Sequence, residues 1–213
     1  MRRRVSNIIS VLKKEYPGAK SSLKYNNPLN LLVATILSAQ CTDRMVNKVT
    51  PHLFKKYRRP GDYARVNIRS LQKEIRSIGL YRGKARNIIK MGKMVEAEFN
   101  NRIPDSLDEL VRLPGVGRKT ANVVLSNAFG KSEGIAVDTH VKRISGRLGL
   151  TKKKEPGKIE LDLMRIIPKR YWGTFNHLLV THGRVVCRAV NPIHNKCVIR
   201  KYCKWYKDNK EAR

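Results

Sequence analysis

The stretch LPGVGRKTANVVLSNAFGKSEGIAVDTH, residues 113–140, holds a glycine hairpin, a lysine at a helix start and an aspartate ahead of another helix. Just before it, Ser106 and Glu109 form the S-x-x-E pattern that satisfies free N–H groups at a helix start, and Leu107, Leu110 and Val111 follow at helical spacing. Pro114 stops that helix, because it has no N–H and restricts Leu113. Gly115 and Gly117 flank Val116, so the backbone turns sharply and approaches another surface closely. A second helix starts near Arg118 and ends at Gly130, a residue type favoured just past a C-terminus. The hairpin therefore presents backbone N–H groups at a helix N-terminus, which suits a phosphate. The bland alternative is a helical corner with a glycine turn. Lys119 reads either as a solvated phosphate contact or as an amine nucleophile. Asp138 reads as the N-cap of a helix from Thr139, as a catalytic carboxylate, or as both.

L-P-G-V-G-R-K-T-A-N-V-V-L, followed by V-D-T-H at 137–140, closely resembles the signature of the helix–hairpin–helix DNA glycosylases, specifically the endonuclease III family. The resemblance extends over nearly the whole chain. It implies that Lys119 is the nucleophile and Asp138 its catalytic carboxylate, with Gly115, Val116, Gly117 and Arg118 gripping the DNA backbone. A lysine amine attacks C1′ of a deoxyribose, displaces the damaged base and leaves a Schiff base on the opened sugar. The attacking amine must be neutral, a form that a helix N-terminus and a neighbouring cation both favour. Asp138 takes the amine's proton and stabilises positive charge on the sugar.

Two further stretches carry the resemblance. Residues 37–43, LSAQCTD, match L-S-A-Q-x-T-D, in which the glutamine fills the space left by an extruded base. Gln40 is thus a candidate wedge, with helix capping as its ordinary role. In the turn Ile78-Gly79-Leu80-Tyr81 the resemblance makes Leu80 a second intercalating residue; otherwise it is a buried turn leucine. Arg82, Lys84 and Arg86 read as phosphate contacts or as a solvated basic face. His140 and Arg143, near the start of the helix after Asp138, are candidate DNA contacts. His140 positions DNA or the aspartate, or is simply a partly buried polar residue.

Composition bounds the rest. The chain has 213 residues, and 46 lysines and arginines against 16 acids give a formal charge of +30. Such a charge favours a polyanion, nucleic acid before an anionic membrane. The apolar run LNLLVATILSA at 29–39 is too short to span a bilayer and carries Asn30, Thr35 and Ser38. The N-terminus lacks the long apolar core and cleavage site of a secretory signal. The reading is an intracellular, cytoplasmic protein of prokaryotic type that associates with the nucleoid while acting on DNA. Four unevenly spaced cysteines do not look like a disulfide framework, and Cys41 reads as core packing.

Cys187, His194, Cys197 and Cys203 leave gaps of six, two and five residues. This spacing resembles the compact iron–sulfur loop of the endonuclease III family at every position, with histidine at 194 where the family has cysteine. Three thiolates and an imidazole make a four-ligand site. A [4Fe–4S] cluster with His194 as fourth ligand is the first expectation, zinc in a Cys3His site the second, and no intact cluster the third. A closed site does no hydrolysis; it fixes a loop carrying Arg188, Lys196, Arg200, Lys201 and Lys204 against phosphates, with Trp205 and Tyr206 packed beneath.

Helical patterns over 4–16, 28–39, 44–57, 62–65, 67–77, 82–99, 106–112, 118–130, 139–148, 158–168 and 173–186 predict an all-α protein. The family resemblance implies a two-lobed helix–hairpin–helix DNA glycosylase fold with a C-terminal metal-cluster loop. One six-helix lobe then covers 23–134, and 1–22 joins 135–213 in a second, with Lys119 and Asp138 facing each other across the cleft. The expected function is base excision repair: a monomeric bifunctional glycosylase and abasic-site lyase releasing oxidised pyrimidines of the thymine glycol type from double-stranded DNA, with no membrane partner. The alternatives are a uracil or thymine mismatch glycosylase of the same fold, or a DNA-binding module with impaired catalysis.

Overall fold

The computed structural model describes residues 1–210, and all regular structure among them is helical. The chain divides into two compact units, one spanning Ser21–Lys131 and the other joining residues 1–20 to the chain from Ser132 onward.

The second unit opens with α1 (Arg2–Glu15), an amphipathic helix that buries Val5, Ile8, Ile9 and Leu12 on one face. The first unit is built around α2 (Pro28–Ser38). Asn27 caps it by accepting from the Asn30 amide, and Pro28 sits at its first position, where a missing N–H costs nothing. Every residue from Leu29 to Leu37 is buried, as its nearly all-apolar sequence requires. α3 (Asp43–Lys56), capped by Thr42, runs unbroken through Pro51. The short α4 (Pro60–Arg65) and α5 (Ile68–Glu74) follow, then α6 (Tyr81–Glu98). α4 lies directly on α6 at Gly92, where a Cβ would come within 2.7 Å of the Pro60 carbonyl oxygen. α7 (Leu107–Arg112) and α8 (Arg118–Ala128) complete the unit. It thus holds seven helices among the described residues, matching the seven helical patterns within 23–134 and one more than the six-helix lobe that the resemblance implies.

In the other unit α9 (Thr139–Arg147), α10 (Pro156–Ile166) and α11 (Trp172–Val185) pack with α1 around Val141, Ile144, Leu163, Phe175 and Leu179. The sequence patterns do not foresee α12 (Lys204–Lys210), a short polar helix that begins at the residue after Cys203. Arg4 ties α1 into this unit by donating to the carbonyls of Leu148 and Tyr202, each at 2.5 Å.

Candidate active site and metal-binding loop

The hairpin forms between α7 and α8. Ser106 caps α7, accepting from the Glu109 amide while its hydroxyl donates to the Glu109 carboxylate at 2.6 Å. The turn closes with the Val116 amide donating to the Leu113 carbonyl at 3.0 Å. Val116 and Leu113 are buried and pin the turn to the core. Gly115 has φ +82°, and a Cβ there would sit 3.0 Å from the Asn87 side chain, so only glycine fits without a shift. Gly117 has open space around it and caps α8 with extended backbone. Arg118 and Lys119 are exposed in the first turn of α8, beside amides that have no partner inside the helix.

Gln40 and Leu80 lie in two turns of the same unit. Both have left-handed backbone, φ 52° and 59°, although neither is glycine. Leu80 is 63% exposed, so the buried-leucine alternative does not hold, and Gln40 is exposed as well. Lys84 is not on the surface with Arg82 and Arg86: it is buried, and its ammonium donates to the carbonyls of Leu37 at 2.8 Å and Ala39 at 2.5 Å.

In the other unit Asp138 is half-buried as the N-cap of α9, its Oδ1 accepting from the Val141 amide at 2.8 Å. The buried segment before it is held by Asn176, which donates to the Ala136 carbonyl at 2.9 Å. The half-buried imidazole of His177 feels the Asp138 charge; partial burial holds its pKa below the usual histidine value, and the carboxylate partly counters that. His140 and Arg143 turn towards the end of α11. The Arg143 guanidinium lies 3.0 Å from His140 Nδ1 and donates to the Cys187 carbonyl at 3.0 Å.

The three cysteines and His194 line one small apolar cavity of about 20 Å³ with Val186, Pro192 and Ile193. Burial pushes the Cys197 thiol up to about 11 and the Cys203 thiol in the same direction, so their thiolates need a compensating positive charge. Arg147 donates to the Cys187 sulfur at 3.2 Å and to the carbonyls of Arg188 and Ala189. Its guanidinium also lies 5.0 Å from the Trp205 ring centre, and the His194 ring stacks on Trp205 at 5.4 Å. No three of these donors converge on a single metal ion, nor do any three His, Cys, Asp or Glu side chains among the described residues.

Sequence reading missed Arg147 and His182 and put a third residue, Lys84, on a basic surface although it is buried. Arg147 was detectable, being four residues after Arg143 on one helix face. His182, whose Nε2 is 3.6 Å from the Cys197 sulfur, and the buried Lys84 have no such signal. Each looks locally like any other polar residue in an amphipathic helix.

Comparison with known proteins accords with this geometry. Residues 33–169 match the model of the HhH-GPD superfamily base excision DNA repair proteins. The chain is 50% identical to endonuclease III of Bacillus subtilis, over 89% of this chain and 86% of that one. It is 48% identical to endonuclease III of a Synechocystis species, over 95% and 92% of the two chains.

This chain belongs to the endonuclease III family.

It is thereby a base excision repair enzyme, a bifunctional DNA glycosylase and abasic-site lyase. A structure of a trapped endonuclease III–DNA covalent intermediate, an estranged-adenine complex, superposes with a TM-score of 0.92 at 45% identity and covers 99% of both chains. A thermostable thymine-DNA glycosylase shares the fold, with a TM-score of 0.86 at 22% identity. Members of the family generally carry a [4Fe–4S] cluster. The donor set here fits that group in kind: soft thiols and an imidazole around an apolar cavity, with Arg147 beside a sulfur. Among the described residues no helix is long and apolar enough to cross a membrane.

Proposed function

We propose that the chain removes oxidised pyrimidines of the thymine glycol type from duplex DNA through Lys119, then cleaves the strand 3′ to the emptied site. The observation that carries this reading is the exposed Lys119, in the first turn of α8 directly behind the hairpin, in a chain 45% identical to one trapped covalently on DNA. Its neutral amine forms a bond to C1′ as the glycosidic bond breaks, and the base leaves with that electron pair and takes up a proton from water. The amine's extra proton passes to Asp138, whose ionised form is also the one that caps α9. Ring opening, with O4′ taking up the proton that Asp138 holds, gives a protonated imine between Lys119 and C1′. Loss of a C2′ proton then expels the 3′ phosphate by β-elimination. Gly115, Val116, Gly117 and Arg118 hold a backbone phosphate at the head of α8, and Gln40 and Leu80 enter the helix where the base has left. Such work on genomic DNA places the protein inside the cell.

In the C-terminal loop Cys187, Cys197 and Cys203 hold the cluster, with His194 as fourth ligand. The cluster general to the family and the six-, two- and five-residue gaps between the four donors support a multi-iron group over zinc. The cluster supplies a fixed loop and no reaction step. Arg143 and His140 act on that frame, bracing the end of α11, more than on DNA.

Borohydride trapping on a thymine glycol duplex and on an abasic duplex tests the chemistry, with Lys119→Ala as control. A covalent adduct on both, absent from the control, is expected; an adduct that survives Lys119→Ala removes Lys119 as nucleophile. For the loop, purified protein should be brown and contain iron and sulfide. His194→Cys should keep the colour and His194→Ala should lose iron faster than either. Colourless protein with one zinc per chain would replace the cluster by the metal ion.

A further inference from the structure

We propose that Lys84 is a positioning residue that locks the turns bearing Gln40 and Leu80 into a single two-pronged probe of the DNA duplex. The inference rests on the reading that Gln40 and Leu80 enter DNA.

α2 ends at Ser38 with its last carbonyls unsatisfied within the helix. The usual remedy is a glycine in a left-handed cap. Here the remedy comes from α6, the helix that begins beside Leu80. Lys84 reaches across to the carbonyls of Leu37 and Ala39, at 2.8 and 2.5 Å, and is only 5% exposed. Its own amide bonds the Leu80 carbonyl at 3.1 Å, so one residue is hydrogen-bonded to both turns. The ammonium meets the negative end of the α2 dipole, which offsets part of the cost of burying it.

The two turns also touch directly. A Cβ on Gly79 would lie 3.3 Å from the Gln40 carbonyl oxygen, tighter than most such contacts. Each turn holds a non-glycine residue in left-handed backbone, at Gln40 and Leu80. That conformation persists only where surrounding structure over-determines it, and it gathers at functional sites. The buried cross-tie and the bare Gly79 are that surrounding structure. Together they keep two exposed side chains at a fixed separation, which a loose pair of loops cannot do.

The test compares borohydride trapping rates on an abasic duplex and on the same abasic strand without its complement. A single strand has no opposing stack to enter, so the ratio of the two rates reads the probe and not the chemistry at Lys119. Lys84→Met should lower the duplex to single-strand ratio by roughly tenfold, the equivalent of one lost hydrogen-bonded anchor. Gly79→Ala, which leaves Lys84 in place, should lower it in the same direction. Adding Lys84→Met to Gln40→Ala should cost less than the product of the separate losses. A Lys84→Met protein that keeps the wild-type ratio overturns the proposal, whether its overall activity is high or low. If Lys84→Met does not fold, Gly79→Ala decides alone: a wild-type ratio there overturns the lock. Normal ratios in Gln40→Ala and Leu80→Ala would remove the wedge reading itself, and the lock with it. Lowered ratios in those two beside a normal Lys84→Met would remove only the lock.

Discussion

His182 Nε2 lies 3.6 Å from the sulfur of Cys197, while its Nδ1 lies 3.0 Å from the hydroxyl of Tyr16 at the end of α1. The ring is completely buried. Burial pushes the Tyr16 phenol up to about 12, so it remains a donor and the imidazole accepts at Nδ1. The remaining ring proton then sits on Nε2 and faces the sulfur. Hydrogen bonds of this kind to metal ligands are worth about 10–100-fold in metal affinity. His182→Ala should therefore speed chelator-driven loss of iron by roughly that factor. Tyr16→Phe should act in the same direction and less strongly. Iron released at the wild-type rate from His182→Ala would show that the contact does not support the loop.

Asp138 carries a structural and a chemical task that can be separated by one atom. Asparagine caps a helix about as well as aspartate but cannot take up a proton as a base. Asp138→Asn should leave the melting temperature nearly unchanged and lower the trapping rate by about 10²–10⁴. Asp138→Ala should lose the activity and also about 1 kcal/mol of stability, from the lost bond to the Val141 amide. If Asp138→Asn melted like Asp138→Ala and cleaved like the wild type, the carboxylate would be a cap alone.

The hairpin was legible because each of its constraints is local. Gly115 is needed where φ is positive, Pro114 where a helix must stop, and Asp138 where a helix must start. Core helices such as α2 were legible because burial on every side leaves an apolar run. Leu80 was ambiguous, since an exposed wedge and a buried turn leucine are the same letter. What Lys84, Arg147 and His182 bond to was out of reach for a different reason. Their partners lie 47, 40 and 15 residues away, at Leu37, Cys187 and Cys197, and no short-range pattern encodes such pairings. α12 was missed because its polar sequence has no apolar stripe to reveal a period.

His177 predicts how the fold responds to acid. Its folded pKa is lowered from 6.5, burial outweighing the pull of Asp138. The unfolded chain therefore binds a proton that the folded chain resists as pH drops below 6.5. The stability tied to this residue is complete above that value and is lost as pH falls through the lowered folded pKa. His182 is shifted in the same direction, to about 4, and stays in place in both proteins compared. Melting temperature should thus fall less steeply between pH 7 and pH 5 in His177→Gln than in the wild type. Parallel curves would mean that His177 does not titrate differently on folding.

The exposed cations of the C-terminal loop make the last prediction quantitative. Arg200 lies over the Tyr206 ring at 5.6 Å and Lys201 over the Tyr202 ring at 5.2 Å, so both charges stand on a braced surface. A protein that neutralises Z phosphates loses affinity with a slope of about −0.9Z in the logarithm of the association constant against log salt, by counterion release. With a net charge of +30, binding to undamaged duplex should fall steeply as salt rises. Arg200→Ala and Lys201→Ala should each flatten the slope by about one while leaving the preference for abasic over undamaged DNA intact, because phosphate contacts position and do not discriminate. Fluorescence anisotropy across a salt series measures both quantities on the same samples. A slope identical to wild type in both variants would move the phosphate grip away from this loop and onto the hairpin unit.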